Sequence, residues 1–461
     1  MISDDFKNSY YDGIFANMFA TLTGGAFLTG FALYLGMDEL MIGLLGAIPF
    51  IVTVFQLPTS YLVQRYDVRK KTCVMGAAIA RIAWLPILIA AFVPMPFENF
   101  RLYIILFLFL MSHAAASISH LAWLSWMSDL IPDNIRGSFF GARNMLIGAG
   151  GMIAMMMFGK ILDLSKNYLN NGVSVGLSAT FLFAILFGVA SLRFLNKVYE
   201  PPPITPHIPV SFWNNLNLPL KEANFRRFLI FTFCWSFAVH FAGPFLTLYF
   251  LKYLNFSYAF IAVLGTLSAL ADLLGMRVWG KLSDRVKNKS IIQLASWVAV
   301  FVPFAWISVR PGSLVAPIII HIVAGGFWAG ITLCTNNLLF RISSGENKGI
   351  FFSTYSVIAG AGAAIAPITA GLLLRIMPEA KINILDVELL PLHLIFMAST
   401  LMRFASRMLL KTIIESDAAP VSQLVRILRN VRGLNVANGF DSLLHPFVEI
   451  VGRKNKIIVK P

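Results

Sequence analysis

Charge is scarce in this chain: Asp, Glu, Lys and Arg make up 13% of 461 residues, about half of what a soluble domain carries. A water-soluble globule of this length is thereby excluded. Cysteine is nearly absent as well, with Cys73, Cys234 and Cys334 each inside an apolar stretch. No spacing suits a zinc site or a disulfide framework, so the three are read as small core residues. Enzyme signatures are missing too. There is no glycine loop leading to a phosphate-binding lysine, no nucleophile elbow and no paired metal-ligand motif, so neither catalysis nor a cofactor or metal is expected. The opening residues, Met1 to Phe6, carry no basic stretch or cleavage site, and the first apolar segment is expected to remain as an uncleaved anchor.

What is abundant is apolar residue, 57% of the chain, in runs long enough for the hydrocarbon core of a bilayer at about twenty residues each. Such runs fall near 14–35, 40–63, 72–93, 102–127, 144–165 and 173–195. A second set lies near 228–251, 257–279, 291–309, 314–338, 350–376 and 389–411. They are continuously apolar rather than alternating, which predicts helices instead of a barrel. The expected fold is an all-α membrane protein of twelve transmembrane helices. Residues 1–195 form a first six-helix bundle, 196–227 a proline-rich linker containing Pro201, Pro202, Pro203, Pro206 and Pro209, and 228–411 a second bundle. Residues 412–461 form a tail. There Val421, Leu424, Val425, Leu428 and Val431 recur at helical spacing, as in an amphipathic helix lying on a membrane surface or against the adjoining loops.

The net charge of +15 would suggest nucleic acid in a soluble protein, but its placement matters more than its sum. Arg65, Arg69, Lys70 and Lys71 follow the second run, Lys281, Arg285, Lys287 and Lys289 follow the eighth, and Lys197, Lys221, Arg226 and Arg227 crowd the linker. The alternate loops hold only isolated cations such as Arg101, Lys166, Lys252, Arg310 and Lys381. The positive-inside rule then puts both termini in the cytoplasm, as suits a bacterial inner membrane, with lipid and a small solute as partners and no nucleic acid.

The two halves repeat one another. Arg136, Gly137, Ser138, Phe139, Phe140 and Gly141 return as Lys348, Gly349, Ile350, Phe351, Phe352 and Ser353, and Gly148, Ala149, Gly150 return at the same distance downstream as Gly360, Ala361, Gly362. Gly25, Phe27, Leu28 and Thr29 match Gly243, Phe245, Leu246 and Thr247, and Leu62, Gln64 and Arg65 match Leu282, Asp284 and Arg285. In an apolar chain, a repeat of this length marks a transporter built of two parallel halves with its site where they meet.

Gly280, Lys281, Asp284, Arg285, Lys287 and Lys289 together resemble the loop signature of the major facilitator superfamily, and the likeness extends over most of the chain to about Lys411. The first-half copy is degraded, with Ser60 in place of the glycine and Gln64 in place of the aspartate. The resemblance implies two six-helix bundles and a secondary transporter moving a small solute by alternating access, with a proton or cation as coupling partner. Two other readings stay open: a multidrug-type efflux pump, and a non-transporting receptor or assembly partner that keeps the fold. The arginine that many proton-coupled relatives carry on the fourth span is absent, where Phe109, Ser112 and His113 stand instead.

Ionisable groups at membrane depth are costly and are therefore candidates for function. His113, Ser117 and His120 share one face of the fourth span. His240 on the seventh, Asp272 on the eighth, and His321, Asn336 and Asn337 on the tenth complete the substrate and coupling candidates. Gating candidates gather at the inner mouth: Asp284 and Arg285, with Arg65, Asp129, Arg136 and Arg143. Asp284 is suited to latch the positive N-terminus of the fifth span near Arg143. Arg81, Arg403 and Arg407 lie on spans that the resemblance puts outside the central cavity. Arg81 is expected in a buried pair, and the other two are expected to extend to the interface.

Overall fold

The computed structural model describes residues 2–56, 59, 68–92, 98–202, 218–343, 348–377, 382–384 and 387–416. Arg65 and the amphipathic stretch expected beyond residue 416 lie outside them. In the first half the chain forms α1 (Ile2–Leu22), α2 (Gly25–Tyr34), α3 (Glu39–Ile51) with a 3₁₀ extension (Val52–Phe55), and α4 (Arg69–Ile82). It continues through α5 (Trp84–Phe92), α6 (Glu98–Leu130), α7 (Asp133–Tyr168) and α8 (Gly172–Lys197). The short α9 (Leu218–Lys221) leads into α10 (Ala223–Lys252), α11 (Tyr258–Val286), α12 (Asn288–Ile307), α13 (Val315–Ile342) and α14 (Lys348–Ile376). A small hairpin, Ile382–Ile384 against Val387–Leu389, precedes α15 (Pro391–Leu409). Nothing in the apolar pattern announced that hairpin.

Ten helices among the described residues are long and apolar enough to cross a membrane. The segments expected as second and twelfth spans are occupied differently. The described part of the second, Glu39–Phe55, is a shorter apolar helix, while α15 carries Arg403 and Arg407 and is amphipathic. The first span also begins earlier than its apolar run, because α1 starts at Ile2 and brings Asp12 inside the helix. It then breaks where Gly25 takes φ +50, a left-handed conformation open to a residue without a Cβ. Asp38 starts α3 by accepting the Met41 N–H at 2.8 Å, and Ser257 starts α11 by accepting that of Phe260 at 3.1 Å, both ordinary N-caps.

The sequence repeat is realised in packing. In the first half α1 packs against α7 and α8, and in the second α10 packs against α14 and α15. Gly150 permits the first approach, since a Cβ there would lie 2.8 Å from Ile14 Cγ2; Gly362 permits the second, where a Cβ would meet the Phe233 carbonyl at 2.6 Å. Contacts between the halves run α3 to α14 and α7 to α11, again a symmetric pair.

Each half is closed by a related clasp at the face where the chain enters and leaves it. Glu200, just past α8, accepts the N–H of Lys70 at the start of α4 at 2.9 Å, and Lys70 Nζ reaches back to the Val198 carbonyl at 2.7 Å. Glu415, past α15, accepts the N–H of Lys289 at the start of α12 at 2.7 Å, and Lys289 Nζ reaches back to the Ile413 carbonyl at 2.6 Å. A carboxylate at a helix N-terminus is favoured by the exposed N–H groups and the dipole.

Three apolar cores result. One joins both halves, from Phe27, Phe31 and Phe181 to Phe245, Phe250 and Trp306. The other two each belong to one half: Trp126, Met127 and Phe139 in the first, and Phe228, Trp279 and Phe351 in the second. Cys73 and Cys334 are buried in these separate cores.

Candidate functional site

The break between α1 and α2 forms part of a cavity of about 320 Å³ walled mostly by the first half, with α10 of the second half contributing Pro244 and Thr247. Thr23, Gly24 and Gly25 line it, facing Gly46 and Pro49 of α3, Trp84 of α5, Phe109, Ser112 and His113 of α6, and Pro244 and Thr247 of α10. Gly25 and Gly243 match in the repeat, but the two spans differ there: the first breaks at Gly25, whereas α10 runs through unbroken with Pro244 inside it. The wall is mostly apolar and, among the described residues, contains no Asp, Glu, Lys or Arg.

Of the sequence candidates, His113 lines this cavity. Ser117, one turn further along α6, is buried with its Oγ unpartnered among the described residues, and His120 is exposed. His240 is bonded through Nδ1 to the Ser236 carbonyl of its own helix at 2.8 Å, and it packs edge-on against Phe50 across the junction of the halves. His321 likewise bonds the Pro317 carbonyl at 3.2 Å and sits against Phe250 and Trp306. Asp272 is half-buried on α11, and Asn336 and Asn337 are exposed and half-buried on α13.

The gating candidates have separate partners. Asp129 pairs with Arg69 at the start of α4. Arg136 donates to the Ser128 and Ile131 carbonyls. Arg143 is buried over the Trp123 ring at 4.3 Å and donates to the Ser9 carbonyl at 3.2 Å. Asp284 and Arg285 are exposed at the end of α11, without a hydrogen bond or ion pair to another described residue.

A polar network inside the first half joins the gating candidate Arg143 and Arg81, which was expected in a buried pair, to Asp12 and Ser191, which the sequence did not single out. Asp12, 4% exposed on α1, accepts from Ser191 Oγ at 2.6 Å and faces Arg143 Nη2 at 3.7 Å. Ser191 in turn accepts from Arg81 at 2.8 Å. One carboxylate therefore sits among four helices with two guanidiniums near it. Arg403, expected at the interface, is instead buried and donates to the Ala299 carbonyl at 2.8 Å. Arg407 lies 3.8 Å over the Trp297 ring.

Polar contacts between the halves gather at the face opposite the clasps. Both carboxylate oxygens of Asp163, near the end of α7, accept the N–H groups of Tyr258 and Ala259 that begin α11, at 2.9 and 2.8 Å. Asp38 pairs with Arg375 at 3.5 Å and Glu39 with Lys252 at 3.5 Å. The backbones close on one another at the same level: a Cβ on Gly159 would lie 3.0 Å from the Tyr258 backbone, and one on Gly43 would lie 2.3 Å from the Pro367 carbonyl oxygen.

A family model described as Major Facilitator Superfamily matches residues 13–367. The chain belongs to that superfamily. Among solved structures it resembles a point mutant of the nucleoside transporter NupG, with a TM-score of 0.68 at 11% identity, covering 89% of this chain and 100% of the other. It also resembles the inward-open xylose transporter XylE from E. coli, with a TM-score of 0.66 at 11% identity, covering 93% and 100%. A bacterial homologue of the human lysosomal transporter Spinster, in an inward-facing and occupied conformation, follows at 0.63 and 12%, covering 90% and 97%. No curated protein matches the chain in sequence. The identities are low enough that these likenesses speak for the superfamily fold alone, and the superfamily makes the chain an integral, multi-pass membrane protein.

Proposed function

We propose that this superfamily member is a secondary transporter that carries a small solute by alternating access, through the cavity between Thr23, His113 and Pro244. The observation that carries the reading is the unequal joining of the halves. One apolar core and the Asp163, Asp38 and Glu39 contacts seal one face, while at the other face each half keeps a core of its own. An assembly closed on one side of a midplane cavity and divided on the other is one of the two states such a cycle requires. With both termini cytoplasmic, as the loop charges indicate, the sealed face is the outer one and the state is inward-facing. A bacterial inner membrane is the setting we assign.

For coupling we assign a proton, with Asp272 as its carrier. Asp272 sits within α11 and makes no hydrogen bond or ion pair to another described residue, and an acid at this depth with no counter-charge is a functional group by default.

The test is flux into proteoliposomes from a panel of labelled nucleosides, pentoses, amino acids and neutral amphipathic solutes, with a pH dye in the lumen. Saturable uptake is expected, and it should stop when Asp38→Cys and Arg375→Cys are oxidised to a cross-link that holds the sealed face shut. Asp272→Asn should keep solute exchange and lose solute-driven proton movement. Uptake indifferent to the cross-link would overturn alternating access. Ligand binding without any flux would favour a receptor with the same fold.

A further inference from the structure

Resting on the transporter reading, we propose a substrate class for the cavity: an uncharged, amphipathic solute whose hydrogen-bond donors are held between His113 of the first half and Thr247 of the second. Charge is excluded by the walls. A carboxylate or ammonium moved from water into a site without an opposite charge loses its hydration with nothing to replace it. Among the described residues no acid or permanently charged base lines this cavity, and His113 is its one titratable side chain.

The polarity of the site is biased toward acceptance. Thr23 donates its hydroxyl proton to the Phe19 carbonyl at 2.8 Å, Thr29 to that of Gly25 at 3.1 Å, and Ser112 to that of Ala80 at 2.6 Å. Each of those oxygens has only lone pairs left for a ligand. His113 and Thr247 make no hydrogen bond to another described residue, and they come from helices of different halves, α6 and α10. A solute that bonds both joins the two bodies that must move. The rest of the wall, including Phe19, Leu28, Ile42, Trp84 and Phe109, is apolar and suits an aliphatic or aromatic body. The volume lies at the small end of ligand pockets, which run from about 300 Å³.

The experiment is titration of the purified full-length protein at pH 8, where a free imidazole is neutral, with four matched probes: 1-phenylethane-1,2-diol, its dimethyl ether, mandelate and protonated 2-amino-1-phenylethanol. The diol is expected to bind about tenfold more tightly than the ether, for two lost hydrogen bonds, and roughly a hundredfold more tightly than either ion. His113→Phe with Thr247→Val should erase the preference for the diol while ether binding persists, which shows that the variant is folded. Equal binding of an ion, a diol preference that survives both substitutions, or no diol binding by folded protein would each overturn the assignment. These outcomes are independent of the transport reading. Diol binding without cross-link-sensitive flux of any solute removes transport and leaves the site. Flux of a charged solute that ignores both substitutions leaves transport and removes the substrate class.

Discussion

In the proposed cycle, the contact that most directly sets which face is open is Asp163 at the N-terminus of α11. Replacing it with alanine leaves the Tyr258 and Ala259 N–H groups without their acceptor and removes a negative charge from the positive end of a 29-residue helix. Loss of a side-chain N-cap costs about 0.5–2 kcal/mol, and a charge at a partly buried helix end is worth up to about 2 kcal/mol. Because the two effects share one carboxylate, a combined loss of about 2 kcal/mol is the working figure. It falls on the state with this face sealed, since the bonds cross between α7 and α11 and break when the halves separate there. At about 1.4 kcal/mol per factor of ten, the ratio of the two states should move by roughly 30-fold. Asp163→Asn keeps one carbonyl acceptor and should move it by only about fivefold, for about 1 kcal/mol.

Spin-label distances between Tyr168→Cys and Leu314→Cys would read the shift, because both positions are exposed at the sealed face, one in each half. The native Cys73 and Cys334 are buried, so Cys234→Ala removes the remaining accessible thiol. A distance distribution unchanged in Asp163→Ala, with normal thermal stability, would refute the reasoning. So would the same shift in Asp284→Asn, whose carboxylate is exposed at the other face.

Other substitutions test the interior. Asp12→Ala leaves Arg143 buried without its counter-charge and Arg81 without the acid behind Ser191; it should cost about 3–5 kcal/mol of stability, read by thermal denaturation in detergent, and Asp12→Asn should cost less because Ser191 keeps an acceptor. Gly362→Ala should destabilise more than its pseudo-symmetric counterpart Gly150→Ala, by about 1–3 kcal/mol. The first pushes a Cβ against the fixed Phe233 carbonyl at 2.6 Å and the second against the end of a movable Ile14 side chain. Glu415→Gln should loosen the second-half clasp, making the chain after Leu410 more susceptible to limited proteolysis while the spans stay intact; equal proteolysis of both proteins would dismiss the clasp as an anchor.

The bundle was legible because bilayer thickness imposes a length on every apolar run, and the repeat was legible because close helix crossings need glycine at fixed places. Gly148 to Gly150 and Gly360 to Gly362 marked the repeat, and the folded chain puts Gly150 and Gly362 at the α1–α7 and α10–α14 crossings. Asp12 was not legible. The segment before the first apolar run reads as polar, and only the folded bundle supplies the Ser191 and Arg143 that let a carboxylate continue the helix inward. Helical spacing put His113 and His120 on one face, yet spacing cannot say how far along that face a cavity extends, and only His113 reaches it. His240 and His321 illustrate the commoner fate of an intramembrane histidine, a bond to the carbonyl one turn back on its own helix. Arg403 escaped because long cations near helix ends usually extend to the interface, whereas here the Ala299 and Val239 carbonyls receive the guanidinium inside the second half.

The two clasps carry the symmetry further than the residues do. Arg69 and Lys70 begin α4, and Asn288 and Lys289 begin α12, a pair of segments with little in common beyond one lysine. Yet in both halves a glutamate just past the last helix caps the third span, and the lysine closes the loop onto the carbonyl two residues before that glutamate. What repeats is a physical need: the start of a helix exposes N–H groups that must be satisfied, and the chain leaving each bundle supplies the acceptor. The mechanical consequence follows from the covalent path. Fixed at Glu200, the linker leaves the first half from a point that moves with α4; fixed at Glu415, the tail leaves the second half from a point that moves with α12. In the proposed cycle, motion between open and sealed states takes place where the halves meet, chiefly α3 against α14 and α7 against α11, and the Asp163 contact lies on one of these surfaces.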